Sequence, residues 1–255
     1  MRLIDTHCHL YLKEFENDLQ EVIERARNAG VEKFYLPAID SEVIDDMLRL
    51  EALYPKELFV MMGLHPASVK ENYKDELRIV EKYLLQRKFI AVGEIGLDFY
   101  WDTTYTKQQF DAFNRQMELA LSYNLPIVIH TRNAMKETID SVMPFAAKGL
   151  RGIFHCFGDS NETAKQIISM GFYLGIGGVL TYKKTNLTKA LKDIDLKHIV
   201  LETDAPYLSP VPYRGKRNES SYIIKVAEKL AEINNIPVEE VARITTENAE
   251  KIFDC

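Results

Sequence analysis

The 255-residue chain has few cysteines, namely Cys8, Cys156 and Cys255. An odd, irregularly spaced set argues against a disulfide framework and favours a reducing compartment. Cys8 and Cys156 each neighbour a histidine, and strand alternation turns them away from it, so we interpret both as small buried apolar residues. Cys255 is the last residue of the chain, and we expect it to be mobile.

Other features are also missing from the sequence. No apolar run approaches the roughly 20 residues that a membrane helix needs, and no secretory signal precedes the apolar periodicity that begins at Leu3. Positive charge is not in excess, because the net charge is -6. We therefore expect a cytoplasmic protein without membrane contact, in which any nucleic acid is held by local positive charge or by metal ions.

The sequence does contain a regular alternation of apolar strands and helices. Apolar residues make up 46% and charged residues 27%, as in ordinary globular proteins. Apolar strands are predicted to begin near Leu3, Phe34, Leu58, Phe89, Pro126, Gly152, Phe172 and Ile199. Eight strand–helix units in about 250 residues predict an α/β fold, a (β/α)8 TIM barrel forming a single domain over residues 1–255. An open doubly wound sheet is the alternative, but no Gly-x-Gly-x-x-Gly loop follows the first strand.

The positions of the polar residues test the prediction of a barrel, because active sites of such barrels lie at the C-terminal ends of the strands. Five of the six histidines and two acidic residues end a predicted strand. These residues are His7, His9, His65, Glu94, His130, His155 and Asp204. The sixth histidine, His198, precedes the last strand, where we expect a surface position at the opposite face. This concentration of histidines indicates a metal site.

The pair His7 and His9 is the most direct indication of a metal site. Imidazoles two residues apart on one strand point the same way and can both reach a single ion. A lone histidine would more often be a satisfied core residue. Four imidazoles and two carboxylates exceed one tetrahedral ion and suit two. The predicted ligands are His7, His9 and Asp204 for one ion and His130 and His155 for the other, with Glu94 as the bridge.

Asp204 and Glu94 are also the predicted catalytic residues, and a buried structural salt bridge is the alternative for both. Two ions can activate a water and neutralise charge on a phosphoryl group, and Asp204 could accept the proton from that water. For His65 we favour a substrate-binding role, with a metal ligand or a structural turn residue as alternatives. Glu202 and Asp5 either orient a ligand histidine or pair with other residues inside the barrel.

These residues belong to motifs by which the chain resembles the TatD family of metal-dependent deoxyribonucleases, within the amidohydrolase-like barrels. The motifs, in family order, are Asp5-Thr6-His7-Cys8-His9, Gly63-Leu64-His65-Pro66, Gly93-Glu94-Ile95-Gly96-Leu97-Asp98, Pro126-Ile127-Val128-Ile129-His130, His155-Cys156-Phe157, Leu201-Glu202-Thr203-Asp204-Ala205-Pro206-Tyr207-Leu208 and Pro212-Tyr213-Arg214-Gly215-Lys216-Arg217-Asn218-Glu219. They extend over nearly the whole chain.

The resemblance implies a TIM barrel, a divalent-metal site and hydrolysis of DNA phosphodiesters, often as a 3′-to-5′ exonuclease. It also implies metal binding by His7, His9, Glu94, His130, His155 and Asp204. One departure is Ser220, where many members have proline, which alters a loop and leaves every predicted ligand in place. Glu94 separates the chain from the binuclear amidohydrolases that bridge with a carboxylated lysine on strand four.

Candidate phosphate binders occur in the loops after strands seven and eight, which often form the phosphate site of such barrels. They are Lys183, Lys184, Arg214, Lys216 and Arg217. For any single lysine, the better interpretation is a solvated residue in a charged loop. Arg214 is the predicted substrate-binding residue because of its motif. The aromatics Phe99-Tyr100-Trp101 either stack on an unpaired base or pack as a lid.

The leading hypothesis is a binuclear metal phosphodiesterase that acts on single-stranded DNA or frayed ends, without an obligate protein partner. The alternative keeps the metal site but changes the bond, giving an esterase, lactonase or deacylase on a small molecule or aminoacyl ester. A non-catalytic metalloprotein is a third possibility, against which the complete ligand set counts. Mixed nitrogen and oxygen ligands allow zinc, manganese or magnesium.

Overall fold

Parallel strands in chain order form a ring in the computed structural model, which describes residues 1–253. The expectation for Cys255 therefore falls outside the described residues. The strands are β1 (Leu3–Asp5), β2 (Val31–Leu36), β3 (Leu58–Val60), β4 (Val92–Asp98), β5 (Ile127–Arg132), β6 (Gly152–Phe154), β7 (Tyr173–Ile176) and β8 (Ile199–Leu201). One sheet contains β1 to β3 and the other β4 to β8.

Backbone hydrogen bonds join the two sheets at both seams. Between β3 and β4, the Met62 N–H donates to Ala91 O at 3.2 Å and the Gly93 N–H donates to Met62 O at 3.1 Å. Between β8 and β1, the Thr6 N–H donates to Leu201 O at 3.0 Å. These bonds complete the ring, and the architecture is the predicted (β/α)8 barrel.

Helices follow the strands and cover the outside of the ring. They are α1 (Leu19–Asn28), α2 (Ile44–Leu53), α3 (Tyr73–Gln86), α4 (Thr106–Tyr123), α5 (Met135–Ala146), α6 (Asn161–Ser169), α7 (Leu187–Leu191), α8 (Ile223–Asn234) and α9 (Val238–Phe253). Local chemistry sets their ends: the Ser160 side chain caps α6 by accepting from Thr163 N, and α4 ends at Asn124 in the left-handed conformation. Among the described helices, none combines the length and apolar character needed to cross a membrane.

A small apolar layer fills the inside of the ring on the N-terminal side of the predicted site. It contains Ile4, Tyr35, Met61, Ala91, Val128, Ile153 and Val200, with Tyr173 packed against it. Ile252 and Phe253 of α9 belong to the same cluster, and Phe253 stacks on Tyr35 with ring centroids 4.1 Å apart. The helix α9 therefore closes the N-terminal end of the barrel and leaves the C-terminal end to the polar residues.

Candidate metal centre

The first two predicted ligands, His7 and His9, lie just beyond β1 in a segment without regular secondary structure. The His9 N–H donates to Ala205 O at 2.8 Å, and His7 O accepts from Asp204 N at 2.9 Å. These bonds fix the segment against the residues that follow β8. The Nε2 atoms of the two rings lie 3.2 Å apart, so both imidazoles point into the same space.

Glu94 lies at the centre of the cluster, in β4, and only 3% of its surface is exposed. Its Oε2 lies 3.2 Å from His7 Nε2 and 3.8 Å from His9 Nε2. Its Oε1 lies 3.0 Å, 3.5 Å and 3.7 Å from three other imidazoles, those of His130, His65 and His155. The two oxygens therefore face separate groups of histidines, as a bridging carboxylate must.

Asp204 follows β8 with a left-handed backbone, at φ of 58°. Aspartate occupies this region more readily than most residues. Its Oδ1 lies 3.5 Å from His9 Nε2, 3.7 Å from His7 Nε2 and 4.0 Å from His155 Nε2. Asp204 therefore faces His7 and His9, the two histidines nearest to Glu94 Oε2, and also faces His155.

His155 stacks on His7, with ring centroids 3.5 Å apart, whereas its centroid lies 6.5 Å from that of His130. Donor atoms within 4.8 Å of one another form four groups: His7, His155 and Asp204; His7, His9 and Glu94; His65, Glu94 and His130; and His155, Cys156 and Glu202. None of these four groups contains both His130 and His155, which we had assigned to one ion. His65, for which we favour a substrate-binding role, lies beside His130 in the third group.

Glu202 is fully buried behind His155. Its Oε1 lies 3.0 Å from His155 Nδ1 and accepts from the Cys156 N–H at 2.7 Å. Room for this carboxylate depends on Gly175 in β7, because a Cβ at that position would lie 2.2 Å from Glu202 Oε2. These contacts favour the alternative in which Glu202 orients a ligand histidine.

Asp5 makes different contacts. Its carboxylate accepts from the Thr203 N–H at 2.9 Å and from the Thr203 hydroxyl at 2.6 Å, and these bonds join β1 to the segment after β8. Complete burial raises the pKa of Asp5 to about 7. Its bonds to Thr203 favour the alternative in which Asp5 pairs inside the barrel.

Two residues to which the sequence analysis assigned no role also contact the predicted ligands. Asp98 Oδ2 lies 2.8 Å from His130 Nε2, and Tyr11 Oη lies 2.7 Å from His9 Nδ1. Asp98 lies beyond the predicted end of the fourth strand, but β4 continues to Asp98, four residues after Glu94. Tyr11 lies in an irregular segment, where no periodicity marks it.

Electrostatics in the cluster favour ionised carboxylates and act in both directions on the imidazoles. Burial opposes protonation of His155 and His130, but Glu202 and Glu94 raise the pKa of His155 to about 10, and hydrogen bonds with Asp98 and Glu94 raise the pKa of His130. Burial lowers the pKa of His7, and the adjacent His155 lowers it further. Burial also lowers the pKa of His65. For Glu94, burial opposes ionisation, but the surrounding histidines, His7 foremost, hold its pKa well below the usual value.

This donor set fits divalent ions. Imidazole nitrogens and carboxylate oxygens are ligands for zinc and manganese, and carboxylates also for magnesium. His7 Nε2 and His9 Nε2 face each other at 3.2 Å, and a cation could accept the lone pairs of both when each ring carries its proton on Nδ1. Glu94 and Asp204 add the negative charge that such a cation requires.

The predicted substrate-binding residue Arg214 belongs to a separate feature beside this cluster. It lines a cavity of about 520 Å³ whose wall also includes Lys183 and Lys184. Arg217, by contrast, forms an ion pair with Asp18 at 2.6 Å. Of the two arginines in this loop, Arg217 is therefore held in the structure, whereas Arg214 faces a cavity.

Known proteins are similar in sequence to this chain over almost its whole length. The family described as TatD related DNase matches residues 4–254. The uncharacterized metal-dependent hydrolase YabD of Bacillus subtilis (strain 168) is 38% identical over 252 residues, covering 98% of each chain. The uncharacterized metal-dependent hydrolase YcfH of Escherichia coli (strain K12) is 30% identical over 259 residues, covering 99% of this chain and 96% of that protein.

A solved structure shows the same fold. The TatD homolog YjjV from Escherichia coli k12 superimposes with a TM-score of 0.93 at 29% identity, covering 100% of this chain and 98% of that one. The predicted barrel is confirmed by this match. The chain therefore belongs to the family of TatD related DNases, and it is a metal-dependent hydrolase.

Proposed function

We propose that the protein hydrolyses phosphodiester bonds in DNA, as a 3′-to-5′ exonuclease on single-stranded or frayed ends. The observation that carries the proposal is the position of Glu94, whose two oxygens lie 3.2 Å from His7 and 3.0 Å from His130 on separate sides. A central acid between two groups of imidazoles suits two divalent ions rather than one. The family description as DNase supports DNA as the substrate.

The residues that would hold the ions are His7, His9, His130, His155 and Asp204, with Glu94 between them. Zinc, magnesium or manganese at such a site supplies Lewis acidity, activates a water and neutralises charge on the phosphoryl group. Asp204 would accept the proton of the attacking water, which is supported by the exposure of 16% of its side chain against 4% for Glu94. Glu94 would then serve as a ligand to both ions.

His65 would bind a phosphate oxygen. Its Nδ1 accepts a hydrogen bond from the Ala67 N–H at 3.0 Å, so in the neutral ring the proton resides on Nε2. That Nε2 faces the cluster, 3.5 Å from Glu94 Oε1. His65 can therefore donate to a substrate oxygen at the centre, which supports its predicted substrate-binding role.

The test incubates the metal-reconstituted protein with 5′-labelled single-stranded DNA and, separately, with a panel of small esters and an aminoacyl ester. We expect products that shorten from the 3′ end. Glu94→Gln should lower the rate more than about 100-fold, since even outer partners of metal ligands contribute 10–100-fold. Glu57→Gln, on the surface, is the matched control. Turnover of esters alone, lost in Glu94→Gln, would contradict the DNA assignment and establish the esterase or deacylase alternative.

A further inference from the structure

Two arginines near the C-terminal end of the barrel stand apart from the others. Among residues 1–253, nine of the twelve arginines form ion pairs with carboxylates, and Arg151 hydrogen-bonds to Asn124. Arg132, at the end of β5, and Arg214, after β8, instead lie over tyrosine rings, with Cζ 3.9 Å and 3.8 Å from the centroids. Stacking occupies the face of a guanidinium and leaves its edge N–H donors for a ligand.

The surroundings of Arg132 are aromatic and exposed. Its Cζ lies over Tyr100 and 5.1 Å from the centroid of Trp101. The two rings meet edge to face at 4.9 Å, and 52% of Tyr100 and 68% of Trp101 is exposed. A lid packed on the barrel would bury these rings, so their exposure favours the alternative in which they bind a ligand.

Asp98 connects this aromatic pair to the candidate metal centre. Its Oδ1 accepts from the backbone N–H groups of Tyr100 at 2.9 Å and Trp101 at 3.2 Å, while its Oδ2 lies 2.8 Å from His130 Nε2. The buried Gln109 side chain fixes Asp98 in turn, accepting from its N–H and donating to its carbonyl. One carboxylate therefore fixes the loop that carries both rings and contacts a predicted metal ligand.

We propose that Tyr100, Trp101 and Arg132 form a nucleobase subsite, in which an unpaired base of the substrate strand stacks on the aromatic rings and Arg132 binds the adjacent phosphate. The inference rests on the proposed function and specifies how that site recognises a single strand. Every base presents a π face, so such a subsite accepts any base that is free of its partner. With a net charge of -6, the chain has little general attraction for phosphates, and stacking supplies affinity that charge does not.

The first experiment uses intrinsic fluorescence, because Trp101 is the only tryptophan in the chain. The metal-loaded enzyme is titrated with single-stranded DNA made resistant to hydrolysis by phosphorothioate linkages. We expect saturable quenching of Trp101, and binding about 5- to 150-fold weaker when the 3′-terminal nucleotides are abasic, which corresponds to the 1–3 kcal/mol of one base–aromatic stack. Unchanged fluorescence at saturating DNA, with binding measured independently by anisotropy, overturns the proposal.

The second experiment is a double-mutant cycle between the indole and the base, measured by anisotropy. Trp101→Ala should weaken binding of intact DNA 5- to 150-fold and leave binding of abasic DNA unchanged, whereas Trp101→Phe should restore most of the affinity. Tyr123→Ala, an exposed aromatic at the end of α4, is the matched control. Equal losses for intact and abasic DNA overturn the subsite. Failure of the wild-type enzyme to cleave DNA would instead overturn the proposed function, because neither readout of the subsite requires turnover.

Discussion

The acidic residues around the candidate metal centre occupy two kinds of position. Glu94 and Asp204 face imidazoles, while Glu202 and Asp98 lie behind them, against His155 and His130. Partners in that outer position fix ring orientation and tautomer, and they affect metal affinity without contacting the ion.

Replacement of Glu202 by glutamine tests this division. The amide removes the negative charge 3.0 Å from His155 Nδ1, so we expect metal affinity to fall about 10- to 100-fold while the fold persists. Competition with a chromophoric chelator measures the affinity, and Glu228→Gln on the outside of α8 is the control. An affinity equal to that of the wild type would show that Glu202 is only a barrel-interior acid.

Gly175 provides a steric test of the same contact. In Gly175→Ala the new Cβ would lie 2.2 Å from Glu202 Oε2, so the carboxylate must move. We expect a loss of about 1–3 kcal/mol in the free energy of unfolding, measured in urea, together with weaker metal binding. Gly158→Ala, whose Cβ would have its nearest neighbour 3.8 Å away, should change both quantities little. Equal behaviour of the two variants would contradict the argument.

Individual ligand residues could be predicted from the sequence where they follow the two-residue periodicity of an apolar strand. His7, His9 and Glu94 were identifiable because they end apolar runs, and the structure brings them within 3.8 Å of one another. The position of His65 beside Glu94 and His130 depends on a turn after β3, and Tyr11 reaches His9 from an irregular segment. Turn geometry of this kind leaves no periodic signal.

Elements show a second limit of sequence analysis. All eight strands were predicted, but β1 ends at Asp5 and β8 at Leu201, so the polar residues follow these strands rather than ending them. Beyond β1 and β8 the two following segments are hydrogen-bonded to each other, and Asp204 after β8 and Cys156 after β6 take positive φ values. Such conformations depend on tertiary hydrogen bonds and cannot be inferred from apolar alternation.

The loop after β8 is attached to α1 by ion pairs. Arg25 donates to both oxygens of Glu219, at 2.9 Å and 2.7 Å, and Arg217 pairs with Asp18. Burial opposes ionisation of Glu219, but its hydrogen bonds with Arg25 and Ser221 outweigh that cost and lower the pKa of Glu219. These contacts hold the loop that carries Arg214.

The stabilisation by Glu219 should depend on pH. Because its pKa is lower in the folded state, the contribution is fully present above the unfolded pKa of about 4.3 and is lost as the pH falls through the folded value. We expect Glu219→Gln to lower the free energy of unfolding at pH 7 by about 1–2 kcal/mol, with the difference from wild type shrinking below about pH 4. Glu57→Gln, which breaks the more exposed pair with Arg27 on the same helix, should cost less than about 1 kcal/mol. A difference that is constant with pH would contradict this account.

The whole molecule is an acidic barrel closed at one end by α9, with Arg132 at the end of β5 and Arg214 after β8 at the other end. Its net charge of -6 provides no general attraction for nucleic acid. Recognition of a short single-stranded segment through a few contacts is consistent with this charge distribution.

Salt dependence measures that footprint. If Arg132 and Arg214 supply the main phosphate contacts, log K for single-stranded DNA should fall against log salt with a slope of only about -1 to -2, at about 0.7 per phosphate. Anisotropy titrations at several salt concentrations give the slope, and Arg132→Gln should reduce its magnitude. A slope steeper than about -5 would indicate an extended basic interface and contradict the account.

We propose that Glu94 lies between two divalent ions held by residues from separate strands. Anomalous diffraction from crystals of the manganese-loaded protein tests it most directly, with Glu94→Gln crystals as the comparison. We predict two anomalous peaks per chain, each within coordination distance of the Glu94 carboxylate, at about 2.0–2.2 Å, and weakening or loss of both in the variant. A single peak remote from Glu94, or two peaks unchanged in Glu94→Gln, would contradict the claim.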